Sequence, residues 1–280
     1  MRNILEINHL TKRFKEFQLQ DINIALPQGS IMGFVGENGA GKSTTIKLIL
    51  NLLHRDQGEI KIFGLDNIRH EHQIKDNIGV VFEETNYPEN MKATDIALVM
   101  KNIYQNWDND VFRAYLKRFS LSPNKIIKEY SRGMKMKLSL AIALSHQAKL
   151  LILDEATSGL DPIVRDEILD IFLEFIQDED HGIFISSHIV SDLEKVADYI
   201  TFIHEGRIVL SEPKDNLLYK YGLLKCSSAE FAQIPSDKVI GYRKNNFGVE
   251  ALVKKEDIKG NMTVDPVSIE EIMLFTRRGL

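Results

Sequence analysis

Apolar and polar positions alternate with two different periods along this chain. Residues 4–8 and 17–26 read as short strands, and Pro27-Gln28-Gly29 turns the chain into a third apolar run, Ile31–Val35. Residues 45–53, Thr-Ile-Lys-Leu-Ile-Leu-Asn-Leu-Leu, then take a helical spacing, and further strands are expected at 59–63 and 78–82. From about 92 to 146 the pattern is helical. Ile96, Leu98, Val99, Ile103 and Tyr104 mark one helix, Val111, Tyr115, Leu116 and Phe119 a second, and Gly133–His146 a third.

The strand and helix alternation then returns. Leu150–Leu153 is a buried strand, Asp161-Pro162 supplies an N-cap and a first-turn proline, and Ile183–Ser186 is another strand. A helix over Val190–Ala197 precedes strands Tyr199–His204 and Arg207–Leu210, which flank a Glu205-Gly206 turn. This order predicts an α/β domain over residues 1–211 with a mostly parallel sheet and a helical insertion at about 84–146. Past residue 212, Pro213, Gly222, Pro235 and Gly241 punctuate short strand-like pieces, and Ser268-Ile-Glu-Glu271 is a capping box opening a last helix. Residues 212–280 are expected to form a small α+β appendage.

Composition narrows the class. With 280 residues, 44% hydrophobic and 27% charged, the chain has the make-up of a globular protein. Its net charge of −5 sets an expectation of no nucleic-acid partner. Cys226 is the single cysteine, so an internal disulfide and a cysteine metal cluster are excluded, which fits a reducing, cytoplasmic setting. Charges at Lys12, Arg13, Lys15 and Glu16 interrupt the first thirty residues and argue against a secretory signal. Apolar runs such as Leu138–Leu144 fall short of the roughly 18–20 residues that span a bilayer, so a membrane role must come through a partner. His70-Glu-His72 has no supporting ligand set and reads as a solvated loop.

The chemistry centres on residues 36–44, Gly-Glu-Asn-Gly-Ala-Gly-Lys-Ser-Thr, which match the phosphate-binding pattern G-x-x-x-x-G-K-[ST] at every fixed position. Gly36, Gly39 and Gly41 let the backbone bend and aim N–H groups at phosphate oxygens, and the positive end of the next helix adds attraction. Lys42 reaches the β- and γ-phosphates, and the Ser43 hydroxyl is a Mg²⁺ ligand. Asn38, Ala40 and Thr44 complete the nucleotide-binding stretch. Leu150–Glu155 is an apolar strand ending in two acids: Asp154 suits Mg²⁺ beside the phosphates, and Glu155 suits activation of the attacking water. On residue chemistry alone, Ser131 ahead of Gly133 reads as an ordinary helix N-cap.

The ordered set of motifs over about residues 4–211 resembles the ATP-binding subunit of an ABC (ATP-binding cassette) transporter. Gly36–Thr44 resembles the Walker A loop, Ser131-Arg-Gly-Met-Lys135 the family signature, Leu150–Glu155 Walker B, Ser158-Gly-Leu-Asp161 the D-loop, and His188 the switch histidine. Phe14 falls where the family stacks a ring on adenine. The resemblance implies a P-loop NTPase core of ABC type with an N-terminal antiparallel β subdomain. It also implies ATP and Mg²⁺ as cofactors. Two cassettes, identical or different, would pack head to tail, with Ser131 and Gly133 of one meeting the γ-phosphate bound to the other and Asp161 linking the sites. Glu155 would polarise water and His188 would stabilise developing charge. The cycle would drive a separate integral membrane permease from the cytoplasmic face of the membrane.

The sequence departs from the family pattern at the signature and after the strand at 78–82. Glu83 stands where the family usually has a Gln that senses Mg²⁺, and as a carboxylate it is a candidate metal ligand. Arg132 replaces the usual first Gly of the signature, and Met134 the commoner Gln. This Ser-Arg-Gly-Met-Lys form is similar to cassettes of ABC-2 type exporters, which sets an expectation of export. The alternatives are a non-transport ABC ATPase and an ATP-dependent regulatory subunit with weak hydrolysis.

Overall fold

The computed structural model describes residues 2–84, 87–258 and 262–279. The chain divides into two compact units, Met1–Leu210 and Ser211–Leu280.

The first unit holds two sheets. One is antiparallel, in the order β2-β1-β4-β5, from β1 (Asn3–Arg13), β2 (Gln18–Pro27), β4 (Gln57–Ile62) and β5 (Leu65–Asp66). β1 runs well past the expected residues 4–8. His9 takes a positive φ of 51° and the register shifts around it, so the apolar alternation breaks while pairing continues.

The second sheet has six strands in the order β10-β9-β3-β8-β7-β6. These are β3 (Ser30–Val35), β6 (Ile78–Val81), β7 (Leu150–Asp154), β8 (Gly182–Ser187), β9 (Tyr199–His204) and β10 (Arg207–Pro213). β9, β3, β8, β7 and β6 are parallel neighbours. Every residue of β3, β7 and β8 is buried, which explains why these strands read as continuous apolar runs rather than alternating ones. Phe34 and Phe184 pack with ring centroids 5.2 Å apart between adjacent strands.

α1 (Lys42–Ile49) begins three residues earlier and ends earlier than the expected 45–53. Its end is set from outside: the buried Asn67 amide donates to the carbonyls of Leu48 and Ile49, both at 2.9 Å, and Asn51 turns left-handed at φ 55°. Glu71–Lys75 forms a short helix, α2, with His70 as its N-cap, where a loop was expected.

Between β6 and β7 lie α3 (Ala93–Ile103), α4 (Asn109–Arg118) and α5 (Arg132–Leu144). The far end of α5 is tightly bound to the sheet. A Cβ on Gly79 of β6 would lie 2.8 Å from the Ala143 carbonyl, so only glycine allows this approach. His146, stacked on Tyr104 at 3.9 Å, places its ring nitrogens 3.0 Å from the Ile78 carbonyl and 3.2 Å from that of Ile142. Burial pushes the His146 pKa below its ordinary value. α6 (Pro162–Phe175) starts as expected, with the Asp161 carboxylate accepting from the Val164 N–H at 3.1 Å, and α7 (Val190–Val196) follows β8.

The second unit is a four-stranded sheet, β12-β13-β11-β14, made from β11 (Tyr221–Cys226), β12 (Val239–Asn245), β13 (Gly248–Lys254) and β14 (Val264–Asp265). Leu224, Ala251 and Val253 form its small core. It also carries α8 (Lys214–Lys220), α9 (Ser228–Phe231) and α10 (Ile269–Gly279); the Ser268 hydroxyl accepts from the Glu271 N–H at 3.2 Å, and the Glu271 carboxylate accepts from the Ser268 N–H at 2.9 Å.

Candidate functional site

Four neighbouring parallel strands end on the same side of the six-stranded sheet, and each delivers chemistry there. β3 leads into Gly36–Thr44, β6 into Glu83, β7 into Asp154 and Glu155, and β8 into His188. The carboxyl ends of parallel strands are the usual ligand edge of an open α/β sheet. A cleft of about 530 Å³ opens there, lined by Phe17, Glu37, Asn38, Gly39, Gly41, Lys42, Ser43, Thr44, Glu83, Glu155 and His188.

Gly41 takes φ 114° and Gly39 φ 83°, so the loop curls back over the start of α1. A Cβ on Gly36 would lie 2.5 Å from the Ile203 carbonyl, whereas one on Gly39 would meet nothing within 4 Å. The loop is thus tight against the protein at Gly36 and open at Gly39. A helix leaves its first N–H groups without intrahelical partners, and in α1 these belong to Lys42, Ser43 and Thr44, all in the cleft wall.

Lys42 is the buried cation of the site, 6% exposed. Its ammonium donates to the Gly36 carbonyl at 2.8 Å and the Glu37 carbonyl at 3.3 Å, and lies 3.3 Å from Glu155 Oε1. The other Glu155 oxygen accepts from His188 twice: from Nδ1 at 2.6 Å and from the backbone N–H at 3.2 Å. Nδ1 is thereby committed to the carboxylate, and Nε2 is the ring nitrogen left for chemistry. Glu155 itself holds a left-handed φ of 53°, and its N–H donates to the carbonyl and the hydroxyl of Ser186, both at 3.1 Å. Ser186 in turn donates its hydroxyl to Asp154 Oδ1 at 2.6 Å. One serine, read from the sequence only as the end of a strand, therefore holds the Asp154 carboxylate and the Glu155 backbone; its only sequence signal was a polar residue inside an apolar strand.

Other expected residues lie elsewhere. Asp154 is buried behind Glu155 and does not line the cleft, and Ala40 is buried beneath the loop. Ser131 caps α5 with its hydroxyl accepting from the Met134 N–H at 3.2 Å. Gly133 lies against Val164 and Leu160, beside the Ser158–Asp161 turn. Neither Ser131, Gly133 nor Asp161 lines the cleft. Phe14 is 44% exposed and its ring centroid lies 6.3 Å from that of Phe17. It is Phe17, not singled out from the sequence, that lines the cleft.

Residues 19–158 match the ABC transporter family profile. The chain is 36% identical over 220 residues to the bacitracin transport ATP-binding protein BcrA of Bacillus licheniformis, covering 78% of this chain and 72% of the relative. The chain belongs to the ABC transporter family. It is also 36% identical over 215 residues to the lantibiotic transport ATP-binding protein SrtF of Streptococcus pyogenes, covering 76% of this chain and 92% of that one. A solved ATP-binding subunit of an ABC transporter superposes with a TM-score of 0.70 at 25% identity, over 76% of this chain and 91% of that one. As an ABC transporter ATP-binding subunit, the chain binds and hydrolyses ATP. No helix among the described residues is long and apolar enough to cross a membrane.

Proposed function

We propose that this chain is the ATPase of an exporter, acting on the cytoplasmic face of a membrane through a separate integral membrane permease and working only when paired with a second cassette. The observation that carries the reading is the division of the site. Lys42, Ser43, Glu155 and His188 share one cleft, while Ser131 and Gly133 stand outside it beside the Ser158–Asp161 turn. A second cassette, offering its own Ser131 turn, would complete each cleft, and Asp161 sits where the two would meet. The named cargoes of the relatives, bacitracin and a lantibiotic, support outward transport of peptide antibiotics.

In this reading the loop amides and Lys42 hold the β- and γ-phosphates, and Phe14 with Phe17 provides an aromatic surface for adenine. Glu155 orients and polarises the attacking water, and His188 stabilises charge developing on the transferred phosphoryl group. The donor set also fits Mg²⁺. No group of three or more His, Cys, Asp or Glu able to hold a metal occurs among the described residues. Mg²⁺ needs no such cage: it binds one or two protein oxygens plus nucleotide phosphates and keeps several waters. Ser43 and Glu83, which line the cleft, would hold it, with Asp154 adding its charge from behind Glu155, and it would supply charge neutralisation at the phosphates.

Mixing two inactive variants tests the shared site. Lys42→Ala and Ser131→Arg each abolish ATPase activity alone. Mixed, they form pairs in which one of the two sites has both halves intact, so activity returns. No recovery on mixing, with pairing verified by sedimentation, would refute the shared site. Co-purification of the chain from membranes with an integral protein tests the permease.

A further inference from the structure

Two of the three positions that depart from the family pattern, Glu83 and Arg132, touch each other. Arg132 Nη2 donates to Glu83 Oε1 at 3.0 Å, with both side chains about half exposed. The same guanidinium lies against the bare face of Gly159, where a Cβ would approach Cζ and Nη1 to 2.7 Å. Gly159 holds φ 67°, so the turn keeps this face open. Glu83 lines the nucleotide cleft with Lys42, Ser43 and Glu155. Arg132 is the first residue of α5, between Ser131 and Gly133.

We propose that Arg132 is a positioning residue for the Glu83 carboxylate, tying the wall of the chain's own nucleotide cleft to the turn that serves the second cassette. The inference rests on the shared-site reading above. A carboxylate at position 83 adds negative charge to a cleft that already holds Glu155 and must admit a polyphosphate. Arg132 supplies the compensating charge from outside the cleft. Its Nη2 reaches the carboxylate while Cζ and Nη1 lie over Gly159, a spread of contacts that a compact lysine ammonium does not reproduce. Glu83 would be shared between Arg132 and a divalent cation when one arrives with the nucleotide. Because Arg132 begins the helix capped by Ser131, that sharing is felt at the surface offered to the partner.

The test measures ATP binding in the Glu155→Gln background by displacement of a fluorescent ATP analogue, first in EDTA and then across a Mg²⁺ titration. Arg132→Gly, the family's residue, weakens metal-free ATP binding about five- to tenfold because Glu83 is left uncompensated. The weakening disappears when Glu83→Gln is added, and the Mg²⁺ concentration giving half-maximal tightening shifts in Arg132→Gly but not in the double variant. Arg132→Gln, which keeps helix propensity, reproduces the effect, and Arg132→Lys restores it only in part. Equal weakening with Glu83 or Gln at position 83, or none at all, overturns the proposal. Failure of the shared-site reading shows separately, as no recovery in the Lys42→Ala and Ser131→Arg mixture.

Discussion

Replacing Glu155 by Gln separates what this carboxylate does before ATP binds from what it does afterwards. In the cleft described here, Glu155 Oε1 is 3.3 Å from the Lys42 ammonium, and the two side chains are 10% and 6% exposed. At an effective dielectric constant of about 20, unit charges at that distance attract by about 5 kcal/mol. Desolvation opposes this gain, and Lys42 retains its carbonyl partners at Gly36 and Glu37 when the carboxylate is gone. The net loss is therefore about 1.5–3 kcal/mol, the range for a hydrogen bond to a charged group. In the proposed site, an arriving phosphate would compete with this pair. Glu155→Gln is accordingly expected to bind ATP about 10- to 100-fold more tightly in EDTA, while turnover with Mg²⁺ falls at least about a hundredfold. Without nucleotide the variant melts at a lower temperature than the parent, and ATP raises its melting temperature by more. Equilibrium binding and thermal unfolding measure the two effects. Unchanged or weaker ATP binding, together with an unchanged melting temperature, would refute the view that Glu155 guards Lys42 in the nucleotide-free state.

Further outcomes follow from other contacts. Gly206 takes φ 75° and a Cβ there would sit 1.9 Å from the Gln18 carbonyl, so Gly206→Ala is expected to lower unfolding stability by at least about 2 kcal/mol in urea titrations. Arg165 donates to the Leu160 carbonyl at 3.1 Å and lies 3.6 Å from the buried Asp192, so Arg165→Met strands that carboxylate and costs about 3 kcal/mol, with Asp192→Asn milder, by the same measurement. His146 has its folded pKa lowered by burial, so the folded state binds fewer protons than the unfolded one. Its contribution is complete above the unfolded value near 6.5 and is lost as pH falls from there toward the folded value, at no more than about 1.4 kcal/mol per pH unit. His146→Gln should flatten the fall in the urea midpoint between pH 7 and 5; an unchanged slope would contradict the assignment.

What could be read from the sequence was what the chain specifies locally. The phosphate loop was legible because its glycines and Lys42 act within one turn of backbone, and the Asp161-Pro162 helix start because cap and first turn are adjacent. The end of α1 was not, because Asn67 imposes it from a distant position through two carbonyls. The same holds for Phe17, which reaches the cleft although Phe14 was the aromatic singled out. Ser186 was hidden by being part of a buried strand. Glu83 and Arg132 were each visible as departures from the family pattern, but their pairing spans 49 positions and only the fold brings them together.

The two ends of α5 are held very differently. At its C-terminal end the helix is clamped to β6 by the close approach over Gly79 and by His146 at the Ile78 carbonyl, and to the start of α4 by the Asp108 N–H donating to the Ser145 carbonyl at 2.7 Å. At its N-terminal end the tie to the cleft wall is an ion pair open to solvent. Held this way, the helix would act as a lever arm with its fulcrum beside Gly79. Its 13 residues make an arm about 20 Å long, so a tilt of about 10° would carry its N-terminal end about 3.5 Å. A modest rearrangement near the fulcrum would then be amplified into a displacement as large as a hydrogen bond at Ser131, the turn that the proposed second cassette would meet.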